Sequence, residues 1–168
     1  MPRRLVIPAL VCLVCGLLVG NPGRADAKPL LPGSVASPAR FVPPAPPPPP
    51  TLAERAVTLA RSQLGVPYVY GGASPGGFDC SGLVMWVYGR LGVALPHNAA
   101  ALYSTGRPVS TSHLKPGDLV FFHGLGHVGI YIGNGRMIHA PQTGETVEIE
   151  ALGERSGAVE GARRITTA

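Results

Sequence analysis

Charged side chains are scarce in this chain, and those present do not gather into runs of one sign. Asp, Glu, Lys and Arg make up 14% of the 168 residues. The net charge of +5 invites a nucleic-acid partner, so its distribution matters. Residues 1–50 set Arg3, Arg4, Arg24, Lys28 and Arg40 against Asp26 alone, whereas nine basic residues face eight acidic ones from Thr51 onward. The later part is close to neutral and has no Lys/Arg stripe with interleaved aromatics, so no nucleic-acid partner is expected. Internal repeats are missing as well, and the length leaves room for one globular domain of ordinary size.

The chain also lacks an apolar run long enough to cross a membrane comfortably. The stretch from Leu5 to Gly20 is sixteen residues and includes Pro8, short of the ~20 that a spanning helix needs. Arg3 and Arg4 precede it, and Ala25-Asp26-Ala27 follows with a small-x-small pattern. Residues 1–27 are therefore expected to be an export signal, cut after Ala27, with retention as an uncleaved anchor as the alternative. The expected location is outside the cytoplasm.

Cysteine is the third shortage. Cys12 and Cys15 fall inside the apolar run, with Val11 and Val14 where a lipoprotein site wants a small residue. Export would leave Cys80 alone. A lone cysteine closes no internal disulfide, and in an oxidising compartment it is either a liability or a reactive group.

Proline and glycine, in contrast, are plentiful. Residues 28–50 hold ten of the nineteen prolines, ending in an unbroken run from Pro46 to Pro50. So few backbone donors cannot build helix or sheet, and an extended polyproline II linker is expected, followed by a domain over 51–168. Thr51-Leu52-Ala53-Glu54 has capping-box spacing, and Leu52, Ala56, Leu59, Ala60 and Leu64 recur at helical intervals up to Gly65. A glycine-rich loop leads to Asp79, a good N-cap for a second helix over 80–91, too apolar for a surface position. Pro96 precedes a third helix over 98–104. Residues 119–122, 127–132, 137–140 and 147–150 read as strands. Helices first and hairpin-linked strands after predict an α+β domain with a small antiparallel sheet. Residues beyond about 153 are expected only to dress the surface.

Cys80 would open the second helix. Unpaired N–H groups at a helix N-terminus carry partial positive charge, which is expected to lower the thiol pKa and to offer donors to an oxyanion beside the sulfur. Among the five histidines, His127 opens a strand and His139 lies on the next, joined through Gly133-Asn134-Gly135. A plain two-residue loop pairs Ile130 with His139 and puts the two histidines on opposite faces. A three-residue loop with Gly135 as a left-handed bulge, or another irregularity of the same parity, pairs Gly129 with His139 and puts them on one face. That parity is predicted, because it builds a Cys–His–polar relay. His113 and His123 read as loop residues, and Tyr70 and Trp86 as packing residues. A zinc site from Cys80, His123, His127 and His139 is disfavoured, since Gly124, Gly126 and Gly129 deny the spacing a helix.

Tyr68-Val69-Tyr70-Gly71-Gly72, Phe78-Asp79-Cys80-Ser81-Gly82-Leu83-Val84, Leu95-Pro96, Pro116-Gly117-Asp118-Leu119-Val120-Phe121-Phe122 and Gly126-His127-Val128-Gly129-Ile130-Tyr131-Ile132-Gly133 follow one another in order. This series, over about 51–150, resembles the NlpC-type family of papain-like cysteine peptidases. The resemblance implies a papain-like fold with Cys80 as nucleophile, His127 as base, and His139 as the polar residue that orients the base. It further implies that the Tyr68 hydroxyl helps hold the oxyanion and that Asp79 and Ser81 contact the amino end of the substrate. His97 stands where the family often has arginine, and Leu102 where a glutamine often follows; His97 is still expected to line the substrate cleft. The implied substrate is the peptide stem of peptidoglycan, cut between γ-linked D-glutamate and diaminopimelate or lysine. No cofactor, no metal and a monomer are expected. The same resemblance implies a place in the cell wall or periplasmic space; a catalytically silent wall-binding module, and acyl transfer or amide hydrolysis on a different substrate, are the competing functions.

Overall fold

The computed structural model describes residues 44–155 and 157–166. The expected export signal and most of the proline-rich linker lie outside these residues. A compact unit begins at Pro46. Among the described residues, no helix is long and apolar enough to cross a membrane.

Helix α1 (Leu52–Arg61) starts at the predicted capping box. Thr51 Oγ1 accepts from the Glu54 N–H at 3.2 Å, and Glu54 Oε2 accepts from the Thr51 N–H at 2.8 Å. The helix stops at Arg61, and residues 62–65 form turns up to Gly65. A two-stranded ribbon follows, β1 (Ala73–Ser74) with β2 (Gly77–Phe78), inside the segment expected to be loop. Helix α2 (Cys80–Gly89) is capped by Asp79, whose Oδ1 accepts from the Gly82 N–H at 2.7 Å. Asn98 caps the short α3 (Ala99–Tyr103) in the same manner.

Six strands form one antiparallel sheet in the order β3-β8-β4-β5-β6-β7. They are β3 (Arg107–Val109), β4 (Leu119–Phe122), β5 (His127–Gly133), β6 (Arg136–His139), β7 (Glu148–Ala151) and β8 (Gly161–Arg164). The α+β class and the antiparallel sheet match the expectation. The surface role assigned to the C-terminal segment does not hold: β8 lies between β3 and β4 and is joined to the core by Arg164. That guanidinium meets the fully buried Asp118 carboxylate at 2.6 and 2.5 Å. A short, polar strand in a sheet interior gives no periodic hydrophobic signal, because its partners supply the burial.

Both faces of β4 are buried, and the sheet sorts its residues by alternation. Leu119, Phe121, Val128, Ile130, Ile138 and Ala140 join Leu83, Val84 and Val87 of α2 in the main core. Val120, Phe122, Met137 and Ala162 build a smaller core on the opposite face. Helix α2 is thus enclosed, as its apolar sequence required. Its Tyr88 is 1% exposed and gives its hydroxyl proton to the Gly117 carbonyl at 2.6 Å. Trp86 packs edge-to-face on Phe78, with ring centroids 5.6 Å apart. Tyr70 does not pack: it is 89% exposed.

Candidate active site

The β5–β6 hairpin decides whether the two histidines can meet. Gly133 pairs with Arg136, so Asn134 and Gly135 form a two-residue loop, at φ 53° and 67°. Positive φ at both positions is what a type I′ turn requires. One step further the register shifts between Tyr131 and Gly133, and Ile130 pairs with Ile138. The predicted parity is therefore present, but the extra residue sits in β5 near Ile132 instead of in the loop. A two-residue loop and a strand bulge twist the hairpin with the sheet, whereas the expected three-residue loop placed the irregularity at Gly135.

With that parity, His127 Nε2 and His139 Nδ1 come within 2.9 Å. Both side chains are buried, His127 at 5% exposure and His139 at 0%. His127 pairs across the sheet with Phe122, and His139 with Glu148. The histidines therefore share the face of Phe122 and Met137, at the end of the strands. The backbone N–H groups of Val128, Ser81 and Cys80 itself lie near enough to the Cys80 sulfur to favour its anion. Cys80 thus meets β5 at the peptide that joins His127 to Val128.

Neither partner is ionised in the manner a helix N-terminus alone suggests. Burial pushes the Cys80 thiol above its ordinary value, and the neighbouring Asp79 charge adds to this. The N–H groups of Val128, Ser81 and Cys80 pull the other way and do not win. The expected depression of the thiol pKa is therefore corrected: desolvation and an adjacent carboxylate outweigh the helix end. Burial, followed by the charges of Arg155, His139 and His123, pushes His127 down to about 3. His139 falls likewise to about 3, from burial and Arg155. At neutral pH the site holds a thiol and two neutral imidazoles.

Asp79 is the hub of the cleft wall. Its carboxylate accepts from the N–H groups of Gly71 (2.9 Å) and Gly82 (2.7 Å), from Ser81 Oγ (3.2 Å) and from His97 Nε2 (2.9 Å). Burial alone would raise its pKa, but the Gly82 N–H and His97 hold it below the ordinary carboxylate value. The carboxylate is thus already engaged by the protein, and His97 serves it from the cleft rim. Gly82 permits this closeness, since a Cβ there would collide with the Gly72 carbonyl oxygen and crowd His97.

A cleft of about 510 Å³ opens over Cys80. Tyr68, Asp79, Ser81 and His97 line it, together with the exposed Tyr70 and the Gly124–Gly126 turn. Burial raises the Tyr68 pKa first, then the nearby Cys80 and Asp79, so its hydroxyl keeps its proton. His123 and His113 are exposed, on a loop and on a single 3-10 turn (Thr111–His113), as expected of them. Sequence reasoning missed the groups behind His139. Glu150 Oε2 lies 3.0 Å from His139 Nε2, out of line for a hydrogen bond, and Arg155 Nη1 binds Glu150 Oε2 at 2.9 Å. Alternation in the last predicted strand was the available signal, because it puts Glu148 and Glu150 on one face.

The NlpC/P60 family model matches residues 65–158, more than half of the chain. The chain belongs to the NlpC/P60 family. Among its relatives, a probable endopeptidase of Mycobacterium tuberculosis (strain ATCC 25618 / H37Rv) is 50% identical over 109 residues, 64% of this chain and 28% of the relative. The murein DD-endopeptidase MepH of Escherichia coli (strain K12) is 44% identical over 116 residues, 62% of this chain and 43% of the relative. The chain thus spans less than half the length of these curated relatives. The crystal structure of the NlpC/p60 domain of the peptidoglycan hydrolase SagA superposes with a TM-score of 0.63 at 37% identity. That alignment covers 67% of this chain and 98% of the SagA domain, so the two folds agree over nearly the whole of that domain.

Proposed function

We propose that the protein is an exported cysteine endopeptidase that hydrolyses the peptide stems of peptidoglycan. The observation that carries this reading is Cys80 at the first residue of α2, at the floor of the cleft and beside the start of β5, where His127 bonds His139. In this mechanism His127, neutral at working pH, takes the proton of the Cys80 thiol as the sulfur attacks a stem carbonyl. The N–H groups near the sulfur and the protonated Tyr68 hydroxyl receive the oxyanion. His127 returns its proton to the leaving amine, and water, activated by the same ring, releases the acyl group. His139 holds the ring of His127 in place throughout. Burial suits this order of events, since the charges on sulfur and imidazole arise together and only during the reaction.

The bond cut is the one between γ-linked D-glutamate and diaminopimelate or lysine. Asp79 and Ser81 would then contact the amino end of the substrate, with Asp79 exchanging its His97 partner for an ammonium group. A second reading is favoured by the relative named as a DD-endopeptidase: scission between two D-residues of a cross-link. Purified protein incubated with defined muropeptides, followed by mass spectrometry, separates the two by product mass. Cleavage at the γ-glutamyl bond, lost in Cys80→Ala, is expected. Cross-link cleavage alone would establish the second reading, and turnover by Cys80→Ala would defeat both.

A further inference from the structure

Behind His139 stands a layer of charged groups that the mechanism above does not use. β6 pairs with β7 so that Met137 faces Glu150 and His139 faces Glu148, which sets both glutamates on the histidine face. Glu150 Oε2 is 3.0 Å and Glu148 Oε1 3.9 Å from His139 Nε2. Arg155, in the turn after β7, binds Glu150 Oε2, and the same Nη1 lies 3.4 Å from His139 Nδ1. The His139 side chain is fully buried, so its two ring nitrogens answer to these neighbours and to His127.

A neutral His127–His139 pair has two proton orders. In the first, His127 donates from Nε2 to His139 Nδ1, and His139 keeps its own proton on Nε2. In the second, His139 donates from Nδ1, and its Nε2 is bare. The second order leaves a lone pair on a nitrogen 3.0 Å from a carboxylate oxygen that lies off the hydrogen-bond line, and sets an N–H against a guanidinium nitrogen at 3.4 Å. The first order reverses both contacts: the positive end of the Nε2–H dipole lies beside the Glu150 charge without a hydrogen bond, and the lone pair on Nδ1 faces Arg155. In a buried site such differences are weakly screened.

We propose that Arg155 and Glu150 are positioning residues that fix this proton order, holding His139 as the Nε2–H form and leaving Nδ1 of His127 as its unprotonated, basic nitrogen. The role of His127 as base rests on the proposed peptidase function, but the proton order does not. Glu150 and Arg155 touch neither the cleft wall nor Cys80; they act through His139. A base presented with the wrong nitrogen protonated is nearly useless, as tautomer-disrupting changes in serine peptidases show.

Long-range ¹H–¹⁵N spectra of ¹⁵N-histidine-labelled protein read the order directly. The wild type is expected to show His127 protonated on Nε2 and His139 protonated on Nε2. Glu150→Gln preserves shape, yet its carboxamide can serve either form, so mixed tautomers are expected. Arg155→Met removes the cation and should likewise mix them. Both variants should lose kcat by ~10-fold or more with KM unchanged, as for other partners that orient a reacting ligand. A wild-type His139 protonated on Nδ1 overturns the proposal. So does a fall in kcat with the proton order intact, or an unchanged kcat in both variants. Activity surviving Cys80→Ala would instead remove the peptidase reading and leave the spectra to decide the proton order by themselves.

Discussion

His127 Nε2 and His139 Nδ1 lie 2.9 Å apart, with their rings perpendicular at 90° and their centroids separated by 5.1 Å. Perpendicular rings let the lone pair of one nitrogen meet the N–H of the other in line. The contact joins two neighbouring strands and depends on one residue of register shift in β5. Without the shift, His139 would turn into the main core and His127 would have no orienting partner.

Under the proposed mechanism, loss of either reacting group should differ from loss of the orienting one. Cys80→Ala and His127→Ala are expected to abolish muropeptide turnover. His139→Ala should lower kcat by ~10²–10⁴-fold and leave a measurable rate, because the base remains but is poorly held. Single-turnover assays with all three variants check this, and complete loss in each would contradict the division of roles.

The raised Cys80 pKa predicts slow alkylation at neutral pH. The rate of reaction with iodoacetamide should climb with pH and pass its midpoint above the ordinary thiol value, with no plateau near neutrality. His127→Ala should leave this profile nearly unchanged, because the resting imidazole is neutral. A plateau at neutral pH that disappears in His127→Ala would instead reveal a resting thiolate–imidazolium pair.

Acid should unfold the domain early. The folded-state pKa of His127 and of His139 lies near 3, against an ordinary 6.5. Between those values the unfolded chain binds protons that the folded one refuses, so stability is lost as pH falls below about 6.5. Above 6.5 both states are neutral at these sites, and stability should be flat with respect to them. Thermal melts from pH 7.5 to 4 check the slope, and His139→Gln should flatten it.

Arg164 anchors β8 through Asp118, which is fully buried and also accepts from the Lys115 N–H at 2.7 Å. Arg164→Met should destabilise the domain by about 2 kcal/mol, the usual cost of removing a charge-assisted bond from a buried acceptor. Urea unfolding measures it. Truncation before Gly161 should cost more, since it also uncovers the edges of β3 and β4.

Much of the chemistry could be read without coordinates because it rests on local rules. The Thr51 capping box, the Asp79 cap and the enclosed α2 follow from side chains within a turn of one another. The positive φ demanded at Asn134 and Gly135 has the same local origin, and it located the hairpin. Strand boundaries for β4 were visible from four apolar residues between a turn and a glycine-rich loop.

Other features depended on what came from a distance. β8 is short, polar and near the end of the chain, and only its neighbours β3 and β4 make it a strand. Tyr70 carries an aromatic ring that composition assigns to a core, yet the turn at Gly71, tied to Asp79, leaves it outside. The thiol pKa reversed because burial, and then the Asp79 charge, act on Cys80 through space, while the helix rule considers only the backbone beside it.

The sequence by itself determined the three helices, the four consecutive strands β4 to β7, the cysteine at a helix start, and the pair of histidines on adjacent strands. These depend on spacing along the chain, where turn chemistry and periodicity act over a few residues. Tertiary structure decided the protonation states and the partners behind His139. Those depend on burial and on charges such as Arg155 and Glu150, which fields across the folded interior bring to bear on atoms that sequence order does not place together.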